Sequence, residues 1–253
     1  VINRPSNPSI AELRTVCQPP SVTGRSNAEH WVADLYLRRI SPFLTRLLLK
    51  TPISANGVTY LMIITGVSIS FALQLTGWAG LVLALFLSQL QMLWDCCDGE
   101  IARWRNTQSP KGVFLDRVGH YLTEALIPIA LANRIREDND FESLFLGALI
   151  SVFILLNKGF NDSVHVARAF SKLDKIADNK NVSQPKSSVL RLARAPFKIF
   201  AVQRLFHSVE MTILITVFAA NPNLIRYGVP LAAFVTAGHL VSILGSSKLE
   251  VKP

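Results

Sequence analysis

Runs of roughly 18 or more residues nearly free of charge recur from Gly57 to the C-terminus, each long enough for an α-helix to cross the hydrocarbon core of a bilayer. A chain built this way has few options, because backbone amides in lipid must be satisfied within each spanning segment. The expectation is an all-α integral membrane protein with spans near 57–76, 79–100, 113–133, 142–160, 203–220 and 227–245. Overall content would not decide this, since 50% apolar and 17% charged residues also fit a soluble protein. The distribution does.

Ahead of the spans, residues 1–27 are rich in Pro, Ser and Asn and read as a flexible arm. Residues 28–52 mix Trp31, Leu35, Ile40, Leu44 and Leu47 with Arg38, Arg39, Arg46 and Lys50. That mixture predicts an amphipathic helix lying in the membrane interface, broken near Pro42. The six-helix unit occupies 53–247 and a short tail 248–253. No apolar core of signal-peptide type precedes the first span, so no cleaved signal is expected. The very short connection around Gly77 makes the first two spans an antiparallel hairpin.

Net charge +9 would suit a nucleic-acid partner, but the basic residues lie between apolar spans. They read as topology determinants and anionic-lipid contacts, and no nucleic acid is expected. With six spans, every Lys and Arg except Arg134, Arg136 and Arg226 falls on one side. Positive-inside bias places both termini in the cytoplasm, with the inner membrane as the location in a bacterium. Cys17 stands alone and Cys96 adjoins Cys97, a pattern with neither disulfide nor metal spacing.

At the cytoplasmic end of the second span the chain reads Asp95-Cys-Cys-Asp98-Gly99-Glu-Ile-Ala102-Arg103, followed by Gly112, Asp116 and His120. Asp95 and Asp98 are one helical turn apart, with Gly99 and Ala102 on nearly the same face. Gly112, Asp116 and His120, at i,i+4 spacing, share a face of the next helix. Two antiparallel helices therefore present three carboxylates and an imidazole across a short loop. Carboxylates at a membrane boundary are costly unless compensated, and oxygen ligands of this kind suit Mg²⁺ or Mn²⁺. A pair of such ions clamps a phosphorus centre, and glycines at 99 and 112 let a bulky ligand lie against both backbones.

This string resembles the signature of the CDP-alcohol phosphatidyltransferase family: Asp, two residues, Asp-Gly, two residues, Ala-Arg, eight or nine residues, Gly, three residues, Asp, three residues, Asp. Every fixed position matches except the last, where this chain has His120. The approach to the first span, Pro52, Asn56 and Thr59, is similar too, and the likeness extends over roughly 28–245. The resemblance implies that Asp95, Asp98 and Asp116 ligate two divalent cations, Mg²⁺ or Mn²⁺. Asn56, Thr59, Gly99, Ala102, Arg103 and Gly112 would line the nucleotide site of a CDP-linked donor, with CDP-diacylglycerol favoured. An alcohol acceptor, a polyol or polyol phosphate, would take the phosphatidyl group with release of CMP, in phospholipid biosynthesis. Transfer from a CDP-linked small alcohol to a lipid is the alternative. A homodimer is implied as well.

His120 stands where the family places the base that deprotonates the acceptor. It lies one turn from Asp116, and an imidazole titrating near neutrality can serve as a base. Glu124, a further turn along, would orient the ring. Two other readings stay open: His120 as a metal ligand, or a chain that binds CDP-lipid without turnover. Asn161 and His165 near the end of the fourth span, with Arg204 and His207 at the start of the fifth, are expected at the same depth and are candidates for acceptor binding. A cation transporter would need acids at mid-membrane on several helices, and a prenyltransferase would need two separated acidic motifs. Neither pattern is present.

Overall fold

A computed structural model describes residues 4–23, 33–138, 140–173 and 202–250, and its described residues are almost entirely helical. The elements are α1 (Ile10–Cys17), a single turn α2 (Pro20–Thr23), a π turn (Ala33–Leu37) running into α3 (Arg38–Leu49), α4 (Ala55–Ala72), α5 (Gly77–Arg105), α6 (Pro110–Ile135), α7 (Phe141–Phe170), a 3₁₀ turn (Val202–Phe206) before α8 (Ser208–Val217), and α9 (Asn223–Leu244).

Four of these, α4, α5, α7 and α9, are long and apolar enough to cross a membrane. Their outward faces carry Ile64, Phe71, Phe86, Leu156 and Phe234, exposed apolar side chains that a lipid surface accommodates and water does not. These four helices make the chain a membrane protein. The other two expected spans differ in kind. α6 is 26 residues long, but Asp116, Arg117, His120 and Glu124 lower its hydropathy. The 203–220 segment divides into the 3₁₀ turn and an α8 of 10 residues, which rises only about 15 Å.

Local chemistry sets the ends that matter. α4 starts at Ser54, whose hydroxyl accepts the Gly57 amide at 3.0 Å. α5 stops at Asn106 in the left-handed region, φ 54°, a common helix end. Ser109 then caps α6 by accepting the Gly112 amide at 3.1 Å, with Pro110 at the first helical position. The hairpin between α4 and α5 turns at Gly77, φ +67°, where a Cβ would be strained. Arg134 of α6 closes that turn, donating to the carbonyls of Leu73 (2.8 Å), Leu75 and Gly77 (2.7 Å). Sequence reading counts Arg134 only as a charge on the far side; here it caps orphan carbonyls.

α4 packs along both α5 and α6, α6 packs on α7, α7 on α9 and α5 on α8. The main apolar core lies at the end remote from the acids, built from Ile69, Leu73, Leu81, Ile127, Leu131 and Ile215. Near the acids the helices approach through small residues. A Cβ on Gly66 would sit 2.0 Å from Thr123 Oγ1, and one on Gly119 2.2 Å from the Met62 methyl. Hydrogen bonds join α5 to α8: Ser88 with Thr212 at 2.7 Å and Ser208 to Gln91 at 2.9 Å.

Two expectations need correction at the N-terminal end. Residues 1–27 read as a flexible arm, yet α1 carries a capping box, Ser9 with Glu12, and buries Leu13 and Cys17 completely against Val58, Ile101 and Trp104. A polar composition hid two apolar anchors one turn apart. Nor does the chain break at Pro42. α3 runs through it, preceded by the π turn. The carbonyl that Pro42 cannot satisfy, that of Arg38, accepts Gln18 Nε2 at 2.7 Å instead. His30, Trp31 and residues 174–200 fall outside the described residues.

Candidate active site

The site forms where the C-terminal part of α5 faces the start of α6. Along α5, Cys96, Cys97, Glu100, Ile101 and Trp104 are buried on the inner side, while Asp95, Asp98, Gly99, Ala102 and Arg103 are half-buried on the other. This is the helical periodicity of the motif made physical. His120 Nε2 lies 3.1 Å from Asp95 Oδ1 and 3.6 Å from Asp116 Oδ1. Ligand atoms of Asp95, Asp116 and His120 all fall within 4.8 Å of one another. Two carboxylate oxygens and an imidazole nitrogen at that spacing fit a divalent cation, with the imidazole favouring Mn²⁺ over Mg²⁺.

Asp98 stands one turn from Asp95, and its Oδ2 accepts the buried Thr59 hydroxyl at 2.6 Å. Thr59, expected on the nucleotide, therefore acts on a carboxylate in this structure. Asn56 Oδ1 lies 3.1 Å from where a Cβ on Gly112 would be, so α4 and α6 approach tightly at this point. Arg103 folds back over Gly99, its terminal nitrogens 3.0 and 3.1 Å from a Cβ built there, while its Nε donates to the Cys17 carbonyl at 2.6 Å.

Glu124, expected to orient His120, has closer partners. Its carboxylate is almost fully buried, with Oε2 at 2.8 Å from Lys158 Nζ and Oε1 at 3.1 Å from His207 Nδ1. His120 Nδ1 is further away, 3.7 Å from the same Oε1. Beside this cluster opens a cavity of about 310 Å³ lined by His120, Tyr121, Glu124 and Arg117 of α6, Lys158, Asn161 and Asp162 of α7, and His207. Asp162 pairs with Arg117 and accepts the Tyr121 hydroxyl. Of the four residues expected at an acceptor, the structure brings Asn161 and His207 to this cavity. Arg204 is buried away from its lining, and His165 is exposed on α7. His239 bonds Asn157 at 3.0 Å, a packing contact.

Residues 52–158 match the family model described as CDP-alcohol phosphatidyltransferase. The chain carries a CDP-alcohol phosphatidyltransferase domain. The matched stretch runs from the approach to α4 through Lys158 in α7, so it contains every residue of the carboxylate cluster. A CDP-alcohol phosphatidyltransferase domain implies a transferase of phospholipid biosynthesis that takes a substituted phosphate from a CDP-alcohol. No curated protein matches the chain. His207 and the α1 contacts lie outside the matched residues. Sequence reading did not assign Arg117 or Tyr121 to the site. Arg117 and Tyr121 flank positions already singled out, and Lys158 and Asp162 continue the polar face of Asn161.

Proposed function

We propose that the protein is a membrane-bound, divalent-metal-dependent transferase moving a phosphatidyl group from a CDP-linked lipid, CDP-diacylglycerol, to a polyol or polyol-phosphate acceptor. The observation that carries this reading is the position of His120, which belongs both to the carboxylate cluster and to the wall of the adjoining cavity. A group at that seam touches the donor's diphosphate on one side and the acceptor hydroxyl on the other.

Asp95, Asp98 and Asp116 would hold the metal ions. Once bound, two Mg²⁺ or Mn²⁺ ions neutralise charge on the diphosphate and steady the leaving phosphate. Gly99, Ala102, Gly112 and Asn56 would line the nucleotide site, and Arg103 supports its phosphates. The cavity residues Asn161, His207, Lys158 and Arg117 hold the acceptor, orienting a hydroxyl toward the phosphorus distal to the cytidine. That oxygen forms the new P–O bond, His120 takes its proton, and the bond to CMP breaks. Thr59 fixes Asp98, and Glu124 holds Lys158 and His207 beside the ring of His120.

The proposed topology has α4, α5, α6, α7, α8 with its preceding turn, and α9 as six spans, both termini and the site facing the cytoplasm. Ile40, Phe43 and Leu47 form an exposed apolar stripe on α3, while Ser41 and Thr45 face inward. That stripe supports an interfacial helix beside the site, where a lipid donor arrives. A homodimer remains part of this reading through the family resemblance.

The compact Asp95–Asp116–His120 set favours a second role for His120, as metal ligand. The two roles separate in one experiment. Binding of CDP-diacylglycerol to detergent-purified protein is measured with Mn²⁺ and with EDTA, for wild type, Asp98→Asn and His120→Ala. The proposal expects metal-dependent binding weakened in Asp98→Asn and preserved in His120→Ala, which nevertheless loses turnover. Loss of donor binding in His120→Ala assigns it as a ligand, and metal-independent binding in wild type overturns the site.

A further inference from the structure

Glu100 is a fully buried carboxylate that the transfer chemistry does not use. Burying such a group is costly unless hydrogen bonds compensate it. Here three neutral donors do so, from two separate segments: Ser41 Oγ at 2.6 Å and Thr45 Oγ1 at 2.6 Å on α3, and Gln18 Nε2 at 2.8 Å just after α1. Around it the N-terminal residues grip the end of α5. Arg4 donates to the carbonyls of Arg103 (2.8 Å) and Trp104 (2.9 Å), Trp104 Nε1 donates to the Pro5 carbonyl at 3.0 Å, and Cys17 Sγ donates to the Glu100 carbonyl at 3.3 Å.

We propose that residues 4–18 are a strap that sets Arg103 at the nucleotide site, anchored by the Gln18–Glu100 hydrogen bond. The chain of contacts is short. Glu100 holds Gln18, which fixes the neighbouring Cys17 carbonyl at the free end of α1. That carbonyl takes Arg103 Nε at 2.6 Å. With Nε committed there, the two terminal nitrogens are laid against Gly99, on the face of α5 that carries Asp95 and Asp98. A guanidinium held at Nε presents its remaining donors as a preformed fork for phosphate oxygens, with little rotamer freedom left to lose. Gln18 and Glu100 are thus positioning residues, and the strap reaches the site from outside the matched domain. This inference rests on the transferase reading, because it needs Arg103 to meet the donor's phosphates.

The test is equilibrium binding of CDP with Mn²⁺ to the full-length protein, for wild type, Gln18→Ala, Glu100→Gln, Arg103→Ala and the Gln18→Ala/Arg103→Ala pair. Gln18→Ala is expected to weaken CDP binding about tenfold, the scale of one lost charge-assisted contact. The KM for donor rises with it, while turnover at saturating donor and the KM for acceptor stay near wild type. The double variant should bind no worse than Arg103→Ala alone, since the strap acts through that side chain. Glu100→Gln should repeat the Gln18→Ala effect; should it fail to fold, the Gln18 variants, which alter a half-buried side chain, decide the matter. Undiminished CDP binding in Gln18→Ala, or additive losses in the double variant, overturns the strap while leaving the transferase intact. Absence of CDP binding in wild type overturns both.

Discussion

Three nitrogen-bearing side chains converge on Glu124: Lys158 at 2.8 Å, His207 at 3.1 Å and His120 at 3.7 Å. A buried carboxylate in that position locks Lys158 of α7 and His207 of the turn before α8 against α6, so its replacement should disturb the site more than the fold. Glu124→Gln, nearly isosteric, is expected to lower turnover about 10–100-fold, the range seen when a partner orienting an active-site histidine is lost. Wild-type turnover in that variant would reduce Glu124 to a packing residue. The cysteines make a contrasting case. Cys17, Cys96 and Cys97 are free and buried, and burial pushes the Cys17 thiol up to about 11. At pH 7.5 a maleimide should therefore leave all three unlabelled in the native protein and label them after denaturation. Rapid native labelling of Cys17 would show that α1 is not seated. Much of this scale was legible in the sequence, since the motif spacing alone brings Asp95, Asp116 and His120 together. The partners of Glu100 were not. They come from residues 82, 59 and 55 positions away, and nothing local to Glu100 distinguishes it from a surface acid.

At the scale of elements, the site depends on how closely α4 and α6 approach. Gly66 meets Thr123 with no space for a methyl group, and Gly119 meets Met62 likewise. Gly66→Ala should cost about 1–3 kcal/mol through overpacking, read as a lowered Tm in detergent, with Thr123→Ala recovering part of it. An unchanged Tm would mean that the helices stand further apart than described. Hydropathy located the starts of α4, α5, α7 and α9 to within a few residues because apolar runs report lipid contact directly, while the polar end of α7 runs on to Phe170, past the expected end at 160. The expected spans at 113–133 and 203–220 fall on α6, which carries the charges of the site, and on a 3₁₀ turn followed by the short α8. α1 was missed because two buried side chains in eight residues leave almost no periodic signal.

Taken whole, the molecule has an apolar core at one end and its polar machinery at the other, with residues 4–18 wrapped over the polar end. Arg168 at the end of α7 donates to the Lys248 carbonyl at 2.8 Å, bringing the region after α9 to the same end. The proposed even number of spans predicts that protease removes tags at both termini in inside-out membrane vesicles and neither in right-side-out vesicles. Tags cleaved from opposite faces would refute it. The proposed transfer from a CDP-linked lipid at the Asp95–Asp116–His120 cluster can be read as CMP release from purified protein. The assay supplies CDP-diacylglycerol, Mg²⁺ or Mn²⁺ and a panel of polyols and polyol phosphates. The expected result is acceptor-dependent CMP release that EDTA abolishes and Asp98→Asn loses. Metal-dependent binding of the donor with no CMP released for any acceptor, small or lipid, would contradict it.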